Sequence, residues 1–520
     1  MRRKFIILAF ITLMVMNAFA AQVTIDGIVY GDKAEDSSLQ DGEAIVLNYT
    51  NDLPAAMVIA DKVEIEGVEL TVVEITDGLF SYNTVRTNEI TSVKLPSGLK
   101  RIGRYAFENC KNLETVTGIP TTLEYMGGRV FSGTKWINSL EGEGVYLFGG
   151  WAIAHRGMVP QSLTMPEETI GVTDGFLKRG PTSDYYNLKT LILNEGLKQI
   201  TYRAFDNSYN LSKVTLPASL EYLDPEGFYG CGIEEYEVAA GNMYYSAVDG
   251  ILFNLDKTEL VSYPPYKEGD SYIVPDGVTD LSGYAFYGTR LKSLVLPEGV
   301  QVIESQAIRE MNNLEILILP STITEMNMGT FYGCKKLKTV VLKAEECPAY
   351  GGLDLNASDF DNMILYVPSE SVETYKEDSS WGKLNSNGRD NIKSIDLLNV
   401  SGITLDQTSA TLVAGETITL VATVSPENAL DKTVTWSSSD EGVALVEGGV
   451  VTAVAQGTTT IKATAGEFSA TCEVTVSIPT SVEDVEEDTE ETVIYDLAGR
   501  RVKEATNGIY IVNGSKKFIK

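Results

Sequence analysis

The fold is decided by residues 95–113, which read Leu95-Pro96-Ser97-Gly98-Leu99-Lys100-Arg101-Ile102-Gly103-Arg104-Tyr105-Ala106-Phe107-Glu108-Asn109-Cys110-Lys111-Asn112-Leu113. Counted from the first leucine, apolar residues stand four and seven positions later, a phenylalanine twelve later and a cysteine fifteen later. Similar spacing returns after pairs that begin at Ile119, Met165, Leu193, Leu216, Val274, Leu296 and Leu319. Columns that stay in phase over so many units indicate a tandem repeat rather than a single compact core.

The repeat columns predict buried ladders that run along the molecule. The column at position twelve contains Phe107, Phe131, Phe205, Phe228, Phe286, Ile308 and Phe331. In the unit from Met165 the aromatic residue, Phe176, comes one position early. The column at position fifteen contains Cys110, Cys231 and Cys334. A single coil cannot bury such side chains, so we expect stacked coils to join them into one continuous core.

Each unit ends with a short run in which apolar residues alternate, as in Leu314, Leu317 and Leu319. Residues two apart face the same side of a strand, and the proline that follows cannot donate to a ladder, which ends the strand. A period of about 22 to 24 residues, with one strand and one convex segment per coil, lies in the range of leucine-rich repeats. The sequence therefore predicts a mainly β fold, a leucine-rich-repeat solenoid with short convex segments.

The run 95–113 closely resembles the repeat of BspA-like bacterial surface proteins, and the resemblance covers residues 59 to 398. It includes two inserted β-hairpins, near Tyr146 to Ala154 and Asp249 to Tyr263, and a closing segment with Leu365-Tyr366-Val367-Pro368, Tyr375 and Trp381. The resemblance implies a curved solenoid that works by binding other proteins or cell surfaces. The boundaries that we predict are an N-terminal capping region over 21–89, repeats over 90–343 and a C-terminal cap over 344–398.

A second domain begins after Val400, where the sequence becomes rich in Thr, Val and Ala and alternating segments predict short strands. The runs Val434-Thr435-Trp436-Ser437-Ser438-Ser439-Asp440 and Gly449-Val450-Val451-Thr452-Ala453 resemble the bacterial Ig-like domain, group 2. The resemblance implies an Ig-like β-sandwich over 399–478, with Trp436 as its core aromatic residue. Members of that family usually serve as stalks or spacers and occasionally as adhesive modules, and we expect the spacer role here.

Both ends of the chain have sequence features typical of export signals. The basic residues 2–4, the apolar run 5–16 and the small residues around Phe19 predict a signal peptide over 1–20. An acidic linker is expected over 479–492. Residues 493–520, a small C-terminal β tail, look like the C-terminal sorting domain of the type IX secretion system. The alternative is a terminal β-hairpin pair that has no sorting function. We expect a secreted protein on the exterior of the bacterial outer membrane, without direct membrane insertion.

Composition argues against several classes of function. The chain has 41 basic and 72 acidic residues, and an acidic surface repels nucleic acid and anionic lipid, so we expect neither partner. An odd number of cysteines, five, argues against a disulfide framework. The single histidine, His155, lacks a nucleophile motif and clustered metal ligands. We therefore expect no enzyme activity, no catalytic or metal-binding residues and no cofactor.

The candidate binding surface consists of strand residues between the buried leucines, which should point outward, and of tyrosines in the insertions. Exposed β-branched residues on stacked strands suit protein binding, although they also satisfy strand propensity alone. The tyrosines have two possible roles of equal weight: they form part of an interface, or they pack the hairpins onto the solenoid. The residues are Thr190, Ile192, Lys213, Thr215, Ser293, Val295, Ile316, Ile318, Thr339, Val341, Tyr185, Tyr186, Tyr244 and Tyr245.

Three functions follow from these features. The leading hypothesis is adhesion or recognition, in which a monomeric solenoid binds a protein on a host or microbial surface. The second is glycan binding or processing by carboxylates and tyrosines at the inserted hairpins, because a carboxylate pair leaves no local sequence signature. The third is a structural component of a surface layer.

Overall fold

The structure is a computed structural model that describes residues 21–32, 42–81, 85–174, 176–177, 187–351, 362–478, 493–512 and 515–519. The predicted signal peptide and the predicted acidic linker lie outside the described residues. The chain divides into two compact units, with the boundary between residues 392 and 393.

In the first unit, the strand at the end of each repeat pairs in parallel with its counterparts. Leu294, Leu317 and Val340 lie side by side in the register and are fully buried, as the alternation predicted. We call these strands together the long-strand sheet. Its strands form three stretches: Ala56–Val58, Ser92–Lys94 and Thr115–Thr117; Ser162–Thr164, Thr190–Ile192, Lys213–Leu216 and Glu235–Val238; Ser271–Ile273, Ser293–Val295, Ile316–Leu319, Thr339–Leu342 and Ile364–Val367.

Each coil also has a second strand, of two residues, which the repeat pattern did not predict. It follows the proline of the long strand by a few residues, and its second member is the buried apolar residue at position seven, such as Ile303 or Met326. We call these strands the short-strand sheet. They are Arg101–Ile102, Tyr125–Met126, Gly171–Val172, Gln199–Ile200, Tyr222–Leu223, Asp280–Leu281, Val302–Ile303, Glu325–Met326 and Ala349–Tyr350.

The convex segments between short and long strands turn tightly. In the coil from Leu95, Tyr105 and Asn109 have φ angles of 60° and 60°, in the left-handed region. The coil from Leu319 places Gly329 and Gly333 at the same two positions, with φ angles of 77° and 81°. Glycine adopts this conformation without steric cost, which explains its recurrence in the convex segments.

The phenylalanines of position twelve form the predicted ladder. Phe107 stacks on Phe131 with ring centroids 5.6 Å apart, and Phe205 stacks on Phe228 at 5.2 Å. The ladder continues into the N-terminal capping region, where Phe80 stacks on Phe107 at 5.1 Å. Ile308 takes the same position in its coil and is fully buried. The stacked coils therefore bury one ring or one branched side chain at each level.

All five cysteines are free thiols; Cys347 is half-buried and the other four are buried. The thiols of Cys110, Cys231 and Cys334 each donate to the carbonyl oxygen at position twelve of the coil before, at 3.3, 3.1 and 3.3 Å. Burial raises the pKa of Cys110 and of Cys231 to about 12. These thiols are structural groups, because the reactive thiolate form is suppressed.

The capping regions and insertions complete the first unit. The first insertion is the predicted hairpin, and the second has three antiparallel strands where a two-stranded hairpin was expected. The insertion strands are Gly144–Phe148, Trp151–Arg156, Tyr245–Val248, Ile251–Asn254 and Glu259–Ser262. The N-terminal strands are Gln22–Ile25, Ile28–Gly31, Glu43–Tyr49, Lys62–Ile65 and Val68–Ile75.

Helices are few and short. The α-helices are Val85–Glu89, Lys135–Ser139 and Val372–Glu377, and the 3-10 helices include Ser369–Ser371, Trp381–Gly388 and Ile395–Leu398. Tyr375 and Trp381 of the closing segment are fully buried, and their polar atoms bind the carbonyl oxygens of Ala344 and Pro348 at 2.9 and 3.0 Å. These bonds explain how aromatic residues with a polar edge close the apolar core. The short strand Ile392–Ser394 follows.

In the second unit, the predicted Ig-like region forms small β-sheets around a core that includes Ile461, Cys472 and Val474. Trp436 is half-buried and packs against this core, so it is the core aromatic residue but is not fully enclosed. The strands are Gly402–Leu405, Ser409–Val413, Thr417–Thr419, Ala422–Ser425, Thr435–Ser438, Ala444–Glu447, Val450–Ala453, Gly457–Ala465 and Phe468–Ser477. The expectation of a mainly β solenoid followed by a β Ig-like domain is therefore confirmed.

The C-terminal tail forms a four-stranded antiparallel sheet of its own. A turn is fixed by Asp496, whose carboxylate accepts hydrogen bonds from the backbone of Ala498 and Arg500 at 3.0 and 2.9 Å. These bonds hold the pKa of the Asp496 carboxyl below its ordinary value. The strands are Ile494–Tyr495, Arg501–Val502, Gly508–Val512 and Ser515–Ile519.

Candidate functional site

Most of the strand residues of the candidate surface are solvent-accessible on the long-strand sheet. Ser293, Val295, Ile318 and Thr339 are half-buried. Thr190, Ile192, Lys213, Thr215 and Ile316 are exposed. Parallel pairing aligns them in two columns, one of which contains Ser293, Ile316 and Thr339. The solenoid therefore brings together residues that lie more than 20 positions apart in the sequence.

Val341 corrects one prediction. It was expected to point outward to solvent, but it is 0% exposed. In the register it lies between Ile318 on one side and Tyr366 on the other, and Tyr366 is itself buried. Large side chains on both neighbouring strands cover a small β-branched residue between them. Val341 therefore belongs to the packed end of the sheet and is not available to a ligand.

The long-strand sheet is apolar in its last stretch. Ile273, Val295 and Ile318 are adjacent in the register, on three neighbouring strands. Ile273 is 71% exposed, and Ile316 in the second column is 39% exposed. Neighbouring strands are about 4.8 Å apart, so these side chains form a continuous surface. We call Ile273, Val295, Ile316 and Ile318 the apolar strip.

The middle stretch of the sheet is charged, and its charged side chains pair with one another across neighbouring strands. Lys213 Nζ lies 2.7 Å from an oxygen of Glu235 and 2.7 Å from one of Glu237, both on the neighbouring strand. The Thr215 hydroxyl also donates to Glu237, at 3.0 Å. The hydrogen bond to Glu235 is the main reason that the pKa of Lys213 is raised. A ligand would have to compete with these contacts, whereas the apolar strip offers surface without polar partners.

The tyrosines of the candidate surface divide into three cases. Tyr185 and Tyr186 lie outside the described residues. Tyr244 is 49% exposed in the second insertion. Tyr245, next to it, accepts a hydrogen bond from the backbone of Leu223 at 2.8 Å, and burial raises the pKa of its hydroxyl to about 12. Tyr245 therefore packs the insertion onto the solenoid, which was the alternative role considered for it.

A group of arginines and tyrosines on the convex segments was not anticipated. The guanidinium of Arg203 lies 4.2 Å from the ring centroid of Tyr229, and that of Arg309 lies 4.6 Å from Tyr332. The hydroxyls of Tyr229 and Tyr287 are 2.5 Å apart. The sequence could have revealed this group, because its arginines and tyrosines recur at positions ten and thirteen of the repeat. Residue types at these two positions vary between units, so they form no column of a single type.

His155 is half-buried beside an aromatic side chain. Its ring meets the edge of Phe176, with centroids 6.4 Å apart, and burial lowers the pKa of its imidazole. Within the described ranges, no cluster of His, Cys, Asp or Glu residues could hold a metal ion. In the same part of the chain, no helix has the length and apolar character needed to cross a membrane.

Comparison with known proteins identifies both domains. Residues 69–146, 183–247 and 267–348 match the family described as BspA type Leucine rich repeat region, in 6 copies. Residues 399–476 match the family described as Bacterial Ig-like domain (group 2). These ranges agree with the two regions that carried the resemblances.

Individual proteins match over shorter parts. A 3-O-alpha-D-galactosyl-alpha-L-arabinofuranosidase of Bifidobacterium longum is 47% identical over 88 residues, which are 15% of this chain and 8% of that enzyme. An uncharacterized protein of Clostridium acetobutylicum is 35% identical over 189 residues, 34% of this chain and 40% of that protein. The chain thus spans less than half the length of these relatives.

Among solved structures, the pneumococcal vaccine antigen PcpA is 21% identical, with a TM-score of 0.35. The match covers 72% of this chain and 98% of that chain. On the family matches and the observed coils, the chain contains a BspA-type leucine-rich repeat region followed by a bacterial Ig-like domain of group 2.

Proposed function

We propose that the protein is a non-enzymatic recognition protein of the bacterial surface, whose long-strand sheet binds a protein ligand on a host or microbial cell. The apolar strip is the observation that carries this proposal. BspA-type repeats are typical of surface proteins, and that context supplies the compartment in which such a ligand would be met.

The apolar strip suits a protein partner for physical reasons. Its β-branched side chains are stiff, so little rotamer entropy is lost when a partner covers them. Interface cores are depleted in charged residues, and the strip has none. The paired parallel strands also hold these side chains in a fixed register before a ligand arrives.

The Ig-like domain is proposed as a spacer and the tail as a type IX sorting signal. The domain has a hydrophobic core of its own, which includes Ile461, Cys472 and Val474, as a self-supporting spacer requires. The tail forms a separate small sheet, which suits a piece recognised by export machinery.

The experiment that tests the function uses the full chain as bait against surface proteins of candidate cells. Ile316→Arg places a charge in the apolar strip, where Ile316 is 39% exposed, and should abolish capture. The matched control, Gln301→Arg, places the same charge at an exposed position beside the short-strand sheet and should leave capture unchanged. Equal capture by both variants would refute the proposed binding surface.

A further inference from the structure

A cavity opens in the first unit where the repeat is irregular. It has a volume of about 440 Å³ and lies between the coil from Ile119 and the coil from Leu193. The unit between them, from Met165, is the one whose phenylalanine comes one position early. There the ladder changes geometry, since Phe176 meets Phe205 edge-on at 83° whereas Phe107 stacks on Phe131 at 9°. The break in stacking leaves space that regular coils fill.

The cavity combines an apolar wall with polar side chains. Met126 and Ile153, the latter from the first insertion, contribute to the apolar wall. Arg129, Asp174 and Arg203 are among the polar lining residues. Residues 175 and 178–186 lie outside the described residues, and the site consists of the described lining residues.

The charged groups of the cavity disfavour an anionic ligand. Arg129 Nη2 lies 2.6 Å from Glu108 Oε1, and Arg203 Nε lies 2.8 Å from Glu226 Oε2, so each guanidinium already has a carboxylate partner. Asp174 adds a further carboxylate, 4.0 Å from Arg129. Negative groups therefore outnumber positive groups around the opening, and a phosphate or carboxylate ligand would be repelled.

We propose that this cavity binds one sugar ring of a neutral saccharide. Sugar hydroxyls both donate and accept, which matches carboxylates that only accept and guanidiniums that only donate. The apolar C–H face of the ring suits the wall of Met126 and Ile153. The volume falls within the range of small-molecule sites. Arg129, with 47% of its side chain exposed, marks the opening through which the rest of a glycan chain would project.

Asp174 is a largely buried carboxyl group with a raised pKa, as is expected of a group that binds a ligand. Its side chain is 15% exposed, and burial raises the pKa of its carboxyl to about 6, although Arg129 acts in the opposite direction. An ionised carboxylate in this position opposes folding at neutral pH. Charged side chains whose burial lowers the folding stability are typical of ligand-binding sites.

The test is saturation-transfer NMR on the full chain with glucose, galactose, mannose and N-acetylglucosamine, and with inorganic phosphate and spermidine as separate probes. At least one sugar should receive saturation from the protein. Asp174→Asn should weaken its binding at least about tenfold, the loss expected for a charge-assisted hydrogen bond. The same variant should raise the thermal midpoint at pH 7.5, so lost binding would not come from unfolding.

The matched control is Asp280→Asn, which removes an exposed carboxylate on a short strand away from the cavity and should leave sugar binding unchanged. The proposal is overturned if no sugar receives saturation, if Asp174→Asn binds the sugar as the wild type does, or if only phosphate or spermidine binds. The Ile316→Arg variant should bind the sugar as the wild type does. The sugar proposal can therefore fail or hold independently of the proposed protein-binding surface.

Discussion

Replacing Phe286 with alanine should locally destabilise the solenoid. The ring is 0% exposed and stacks on Tyr263, with centroids 5.7 Å apart. The neighbouring coil presents the fully buried Ile308 at the same ladder position, so the space left by the ring cannot be filled from that side by another aromatic residue. Deletion of a buried phenylalanine side chain costs about 3–5 kcal/mol. We expect the upper part of this range, because the lost contacts include an aromatic pair.

Hydrogen exchange read by mass spectrometry resolves where this destabilisation acts. Repeat proteins transmit damage mainly to nearest neighbours, so amides of the coils from Val274 and Leu296 should lose protection by about two to four orders of magnitude. Amides of the Ig-like domain should not change. The control is Tyr332→Ala, which removes a ring that is 53% exposed on a convex segment. Unchanged protection around position 286 would refute the ladder and the repeat register.

Two further predictions concern Asp174 and the tail. The folded-state pKa of Asp174, about 6, lies above its ordinary value of 3.8, so its stabilising contribution is present below pH 4 and is lost as pH rises through 6. Asp174→Asn should therefore match the wild type near pH 4 and exceed its unfolding free energy by about 2–3 kcal/mol at pH 7.5, measured by urea denaturation; a constant difference across this range would contradict the assignment. A chain that ends at Ser477 should melt like the full chain but should not be labelled on intact cells of a host with the type IX system; equal labelling would remove the sorting role.

The repeat core could be predicted from the sequence because each column depends on a single recurring residue type. Phe107, Phe205 and Leu317 are buried where the spacing placed them. A periodic pattern needs no knowledge of distant contacts, since each coil meets a copy of its own environment.

Features that depend on exceptions to the period could not be predicted. Val341 follows the pattern of an outward residue, and its burial between Ile318 and Tyr366 depends on the closing segment, which the repeat period does not describe. The two-residue strands are too short for an alternation to be recognised. The cavity arises because one unit is a residue short before Phe176, and its charged groups come from coils about 75 residues apart, such as Arg129 and Arg203. The spacing revealed the irregularity but not the space that it opens.

Direct contact between the apolar strip and the protein ligand is the central claim, and site-specific photo-crosslinking measures it. A photo-crosslinking amino acid at position 316, in the full chain on its candidate target cells, should give a covalent adduct with a surface protein. The same amino acid at position 301, beside the short-strand sheet, should give none. An adduct from position 301 alone, or from neither position while the ligand is captured, would contradict the account.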